Sequence, residues 1–309
     1  MKVVVGLAKK KVLVTGASSF IGIRLCELLA AQGCCIYALV RESSAGLNAI
    51  LNLHGVCCVL GDVESIESVL KKIGTIDIVF HLAWSGVGGV DRADPEIQIR
   101  NFENSMNVLR HAKAHGCSLF VFGGSQAEYG RCNGLITELT LCNPESEYGK
   151  AKLAFTMAGT DFCEQSNISY RMARIFSVYG PGDHEWTLVS ELIRSMSNNE
   201  VVPLTQCEQR WNFLYLDDAV NALISLASDF CGNGIYNIAS ANTRPLKEYV
   251  NIIRQKFPES PAPGFGLSVG VATHEINPVV DKILRKTNWK ERFSFEDGIR
   301  NTISSYRYL

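Results

Sequence analysis

Short, almost wholly apolar runs alternate with helical patterns along the first half of this 309-residue chain. Strand-like runs fall at 11–14, 35–40, 56–60, 76–82 and 118–122, and helical patterns at 21–32, 66–73 and 101–115. A strand that is apolar on both faces has to be covered on both, and strands running in the same direction are joined by a crossover, usually a helix. The alternation therefore predicts an α/β fold, a doubly wound parallel sheet of the Rossmann type. After Arg174 the pattern loosens into a Pro/Gly turn at "YGPGD", a helix over 188–197 and a Pro/Gly-rich segment over 258–270. "LDDAVNALISLA" and "GIYNIA" read as a helix and a strand that return to the sheet.

The first strand runs straight into "TGASSFIG", Thr15 to Gly22, ahead of the first helix. That is the placement a turn holding a dinucleotide pyrophosphate needs. Gly16 permits the tight turn and Gly22 permits close packing of helix on strand. Ser18, Ser19, Phe20 and Ile21 bring the N–H groups of a helix amino terminus to phosphate. Ser19 stands where a middle glycine is expected, so its side chain either points away from the ligand or donates its hydroxyl to a phosphate oxygen. Roughly 20 residues beyond the last glycine, an acidic residue would accept from a ribose 2′-hydroxyl. Here the chain has Arg41, followed by Glu42. An arginine favours a 2′-phosphate, so NADP is the expected cofactor and NAD the alternative. Asp62 either reaches the adenine amine or caps the helix that follows it. On this footing residues 1–174 form a dinucleotide-binding domain to which 213–239 return, and 175–212 with 240–309 form a smaller C-terminal substrate-binding lobe.

"YGKAK" places Tyr148 and Lys152 four residues apart, on one face of a helix. A phenol of pKa about 10 is a poor acid or base at neutral pH. A neighbouring ammonium, with the charge of an oxidised nicotinamide, favours the phenolate, and a shift of about three units corresponds to ~4 kcal/mol. "GGSQAEYG" ends a predicted strand and presents Ser125 at its carboxyl edge, where ligands of open α/β sheets bind. Ser125 can hold a substrate oxygen while Tyr148 exchanges its proton.

A net charge of −1 offers no field to nucleic acid or anionic lipid, and the basic residues form no cluster beyond Lys9, Lys10 and Lys11. No nucleic-acid or membrane partner is expected. The apolar run at the amino terminus is too short for a signal peptide, which points to the cytoplasm. The eleven cysteines are odd in number and lack a CxxC, and Cys34-Cys35 and Cys57-Cys58 lie in apolar runs, so free, buried thiols are expected. His111 and His115 have the spacing of a zinc helix without its glutamate or a third ligand, and no metal is expected.

Taken together these residues resemble the extended short-chain dehydrogenase/reductases, in the branch of nucleotide-sugar epimerases, dehydratases and reductases. The likeness covers nearly the whole chain through "TGASSFIG", "GDV", "HLAW", "NFENSMNVL", "GGSQAEYG", "YGKAK", "ARIFSVYGPGD", "FLYLDDAVNAL", "YNIAS" and "FEDGI". It implies a nicotinamide cofactor, a nucleotide-sugar substrate, a catalytic set of Ser125, Tyr148 and Lys152, and a homodimer through helices beside the sheet. It adds Val63, Leu82, Ala83 and Asn101, the last opening its helix, to the cofactor contacts, and Ser125, Gln126, Ser177 and Arg210 to the substrate contacts. The departures bear on the substrate. Gln126 and Ala127 stand where dehydratases carry an Asp-Glu pair, which argues against dehydration. Ser177 stands where the family often has asparagine, and Trp211 where a diphosphate-binding arginine commonly falls, with Arg210 one residue earlier. The expected function is NADPH-dependent reduction of a 4-keto-sugar nucleotide. The alternatives are a nucleotide-sugar 4-epimerase with bound NAD and a non-catalytic dinucleotide sensor.

Overall fold

The computed structural model describes residues 6–228, 230–268 and 275–306. Residues 1–5 of the amino-terminal run and 269–270 of the Pro/Gly-rich segment lie outside the described residues. The strands β1 (Lys11–Thr15), β2 (Cys35–Val40), β3 (Val56–Leu60), β4 (Ile78–His81), β5 (Leu119–Ser125) and β6 (Ser169–Ile175) belong to one sheet. Outside it, β7 (Ser177–Tyr179) pairs with β10 (Phe213–Tyr215), β8 (Pro203–Leu204) with β13 (Gly264–Phe265), and β9 (Arg210–Trp211) with β12 (Arg244–Pro245). The remaining strand, β11 (Gly234–Ile238), returns to the sheet, whose order is β11-β6-β5-β4-β1-β2-β3 with every pairing parallel. The doubly wound expectation therefore holds. The order reverses between β1 and β4, and in such sheets the carboxyl ends at that point form the ligand crevice.

The helices are α1 (Phe20–Ala30), α2 (Leu47–Leu51), α3 (Ile66–Ile73), α4 (Pro95–Ala114), α5 (Glu147–Gln165), α6 (Leu188–Ser197), α7 (Leu216–Leu226), α8 (Leu246–Arg254), α9 (Asp281–Lys286) and α10 (Phe295–Tyr306). Alternate strand residues feed two cores, one on each face of the sheet. Val12 and Val14 join Leu25 and Leu29 of α1 and Val220 and Leu223 of α7, while Leu13 between them joins Leu70 of α3, Leu109 of α4 and Phe155 of α5. A third apolar cluster, including Leu192, Phe213, Val250 and Ile299, is built from residues after β6.

Several local expectations are corrected. β5 runs on to Ser125 instead of stopping at Phe122, because Gly123 and Gly124 continue the ladder opposite Ala173 and Arg174. A Cβ on Gly123 would come within 2.8 Å of Leu82, and one on Gly124 within 2.5 Å of Glu128, so the two glycines permit close approach on both faces. α4 starts at Pro95, with Asp94 accepting from the N–H groups of Glu96 and Ile97 at 2.8 and 3.2 Å, so Asn101 lies inside the helix and does not open it. The eleven cysteines are free, but Cys35 and Cys57 are exposed, since β3 is an edge strand and Cys35 only begins β2. His115 Nδ1 lies 3.0 Å from the Gly74 carbonyl, and among the described residues no group of three metal-ligating side chains occurs. No helix of the described residues is long and apolar enough to cross a membrane.

Candidate active site

At the switch point between β1 and β4 a cleft of about 450 Å³ is lined by Gly16, Ser18, Ser19, Arg41, Asp62, Val63, Leu82, Ala83 and Asn101, among others. Gly16 has φ +68°, and a Cβ there would sit 2.6 Å from the Ala83 nitrogen, so the turn packs directly on the end of β4. A Cβ on Gly22 would run into the Gly16 carbonyl oxygen. The Ser19 hydroxyl oxygen accepts from the Gly22 N–H at 3.1 Å and caps α1, which turns the side chain toward the helix. The N–H groups of Phe20 and Ile21, in the first turn of α1, have no acceptor within the helix and are available to an anion.

Below the turn, the Ser105 hydroxyl donates to the Asn101 carbonyl at 2.7 Å, which commits its one hydrogen. His81 Nε2, 2.9 Å from Ser105 Oγ, is therefore the protonated nitrogen, and Nδ1 accepts from the Thr15 hydroxyl at 2.7 Å. Thr15 Oγ1 in turn accepts from the Ala83 N–H at 3.3 Å. Burial pushes the His81 pKa down to about 3, with the Lys152 charge adding to the effect, so the imidazole is a neutral strut between β1, β4 and α4. Asn101 pairs both ways with the Ser85 backbone, at 2.9 and 2.8 Å, and fixes the chain leaving β4.

Arg41 follows β2 on the cleft wall, with its Nε 3.8 Å from Asp62, and both side chains are substantially exposed. Such a pair contributes about 0–1 kcal/mol and is readily exchanged for a better anion. The cap expected of Asp62 is formed, since Oδ1 accepts from the Glu64 N–H at 3.3 Å. Ser18 and Ser44 hydroxyls, 2.6 Å apart, line the same cleft. Glycine turn, free helix N–H groups and a cation on the cleft wall after β2 together fit a nicotinamide dinucleotide.

Ser125, Tyr148 and Lys152 converge beside this cleft and meet it at Trp84, which lines it. The Tyr148 phenol faces Ser125, which draws its pKa down. Lys152 Nζ donates to the Gly123 carbonyl at 2.7 Å and lies 3.9 Å from the Trp84 ring centroid and 5.7 Å from that of Tyr148. Trp84 is itself held by its Nε1 donating to Gln98 at 2.8 Å. The expected lowering of the phenol pKa is not met in the chain alone. Burial among these rings pushes Tyr148 above its ordinary value, against the pull of the Ser125 hydrogen bond and the Arg92 charge. The same burial pushes Lys152 down to about 7, against the charge of Glu128. Both groups are thus driven toward neutrality.

Three residues of this site carried no assigned role in the sequence: Trp84, Arg92 and Glu128. The fully buried Glu128 accepts from the Ser125 N–H at 2.8 Å, the Thr156 hydroxyl at 3.0 Å and Arg174 Nε at 2.8 Å. It is one residue past the expected dehydratase pair and is committed to Arg174 and to the Ser125 N–H, which holds Ser125 at the strand end. A glutamate inside "GGSQAEYG" was the visible signal, but its partner lies 46 residues away.

Among the positions expected to contact substrate, Trp211 Nε1 donates to Ser177 Oγ at 3.1 Å, so the two departures from the expected pattern pair with each other. Arg210 does not join them. Its Nη2 donates to the Thr243 carbonyl at 2.7 Å, and it lines a separate open cavity of about 420 Å³ with Asn242 and Arg244. Neighbouring strand residues point to opposite faces, so when Trp211 turns inward Arg210 turns out. Gln126 forms the turn after Ser125.

A sequence profile described as the NAD dependent epimerase/dehydratase family matches residues 12–239. The chain belongs to that family. Its sheet and flanking helices are those of an extended short-chain dehydrogenase/reductase. The chain is 24% identical over 308 residues to a CDP-abequose synthase from Salmonella muenchen, covering 96% of this chain and 97% of the relative. Its fold is similar to a UDP-N-acetylglucosamine 4-epimerase from Methanobrevibacter ruminantium, with TM-score 0.87, 23% identity and coverage of 97% and 99%. It is also similar to a UDP-glucuronic acid 4-epimerase from Bacillus cereus in complex with UDP-glucuronic acid and NAD, with TM-score 0.84, 22% identity and coverage of 96% and 99%.

Proposed function

We propose that this enzyme reduces a 4-keto-sugar nucleotide with NADPH. The observation that carries the cofactor choice is Arg41, weakly paired on the cleft wall with the Ser18 and Ser44 hydroxyls lining the same cleft, a donor set suited to a 2′-phosphate. NADPH, when bound, supplies the hydride to carbon 4. Tyr148 gives its proton to the carbonyl oxygen at that carbon while Ser125 donates a hydrogen bond to the same oxygen. The phenol that burial keeps protonated at neutral pH supports this direction, because a reductase begins its cycle with a proton to give. Lys152 holds the nicotinamide ribose and stabilises the phenolate. The substrate sits between the dinucleotide-binding domain (1–174 with 213–239) and the lobe of 175–212 and 240–309. Ser177 and Gln126 are proposed contacts; Arg210, expected for the diphosphate, lines the separate cavity instead.

A second reading, a 4-epimerase that keeps NAD bound, draws support from the structural neighbour that carries NAD. The deciding experiment is to purify the protein, analyse retained cofactor by mass spectrometry and assay it with a 4-keto-sugar nucleotide. Stoichiometric NADPH oxidation by protein isolated without cofactor is expected. Tightly bound NAD with interconversion of two sugar nucleotides, and no added cofactor, would replace the reductase with the epimerase. A cytoplasmic location suits an NADPH consumer. A homodimer through α4 and α5 is proposed as well, supported by the exposed Ile99 and Met157 on those helices, and sedimentation measures it.

A further inference from the structure

Arg92 reaches the proton-transfer site from outside the elements that carry Ser125, Tyr148 and Lys152. It belongs to the single turn Val90–Ala93 on the connection between β4 and α4, and its Nη1 donates to the Val87 carbonyl at 2.9 Å. That bond sets the guanidinium over the Tyr148 ring, with its carbon 4.2 Å from the centroid. Among the described residues no ion pair neutralises it.

The charged groups facing Tyr148 come from three elements. Lys152, on the same helix, lies farther from the ring at 5.7 Å and directs its ammonium to the Gly123 carbonyl and the Trp84 face. Glu128, from the turn after β5, is committed to Arg174, Thr156 and the Ser125 N–H. Arg92, from the β4–α4 connection, is the cation nearest the ring among the described residues, and a guanidinium carries its charge whatever the state of its neighbours. A cation over a neutral phenol is attracted by the ring quadrupole. Once the proton has left, the negative charge spreads into that ring and the attraction becomes charge against charge. The stacked cation therefore binds the phenolate more strongly than the phenol.

We propose that Arg92 is the permanent cation of the proton-transfer site, stacked on Tyr148 to stabilise the phenolate left after the proton has passed to the substrate oxygen. This rests on the reading of Tyr148 as proton donor. In each cycle the phenol O–H bond breaks, the proton goes to the oxygen of the reduced carbonyl, and solvent returns a proton to the phenolate. Arg92 is a positioning residue that acts through Tyr148.

The test follows tyrosinate ultraviolet absorbance against pH in protein saturated with oxidised cofactor, with Tyr148→Phe subtracted from wild type to isolate one phenol. In Arg92→Gln that titration is expected to move up by about one unit, a tenfold loss of phenolate at any pH below it, and in Arg92→Lys to return most of the way. An unmoved titration in Arg92→Gln overturns the proposal. If the KM for sugar nucleotide rises at the same time, Arg92 belongs to substrate binding instead. A wild type that titrates like Tyr148→Phe would overturn the proton-donor reading, and the proposal with it.

Discussion

The two halves of this active site differ in how they keep to the family pattern. On the cofactor side the essential parts are backbone: Gly16 against Ala83, Gly22 against the Gly16 carbonyl, and free N–H groups at the start of α1. Even the substituted position, Ser19, preserves the turn by capping the helix. On the side proposed for the substrate the parts are side chains, and the two departures from the expected pattern pair with each other, Trp211 donating to Ser177. A backbone cradle is exacting about glycine and tolerant elsewhere. A side-chain site can be rebuilt by a pair of substitutions.

Four substitutions would sharpen or break this contrast. The largest effect is expected from Tyr148→Phe, which removes the transferable proton but keeps the ring. Turnover should fall by at least about a hundredfold while cofactor affinity stays nearly intact. Steady-state rates paired with a calorimetric titration check both, and a smaller fall would remove Tyr148 from its role. Next comes Gly16→Val, which forces a β-branched residue into φ +68° and its Cβ to 2.6 Å from the Ala83 nitrogen. No NADP(H) binding should be measurable by calorimetry, and normal affinity would show that the cradle lies elsewhere.

Arg41→Ala addresses the boundary between the halves, since the proposed 2′-phosphate contact would be a side-chain device set on the backbone cradle. The preference for NADPH over NADH should shrink by about 1.5–3 kcal/mol, the scale of a hydrogen bond to a charged group. Measured kcat/KM ratios for the two cofactors that stay equal to wild type would leave the NADP assignment without its residue. The smallest effect belongs to Ser19→Gly. An N-cap serine changed to glycine costs a few tenths of a kcal/mol, and restoring the middle glycine should leave NADP affinity within about a factor of three. A loss much beyond that would mean that the Ser19 hydroxyl binds phosphate directly.

Much of the cofactor half was legible because it is local. The glycine turn, the helix behind it and the Tyr148–Lys152 spacing are short-range patterns, and the strand runs at 35–40 and 56–60 coincide with β2 and β3. The helix of Asn101 was read too short because its start lies in a polar stretch, where Asp94 and Pro95 mark the cap but no apolar period does. The extension of β5 was hidden by Gly123 and Gly124, which read as a turn until the opposite strand is known.

The alternation of strands and helices and the dinucleotide turn were determined by the sequence itself, because backbone conformation and amphipathic period are properties of neighbouring residues. The direction of the Tyr148 and Lys152 pKa shifts, the His81 strut, the Glu128–Arg174 pair and the stacking of Arg92 were decided only by the tertiary structure. Each depends on burial, or on partners brought together from distant parts of the chain: Thr15 and His81 are 66 residues apart, and Glu128 and Arg174 are 46 apart. The loss of water around a charged group is likewise a property of the packed site, which leaves no mark on the residues beside it in the chain.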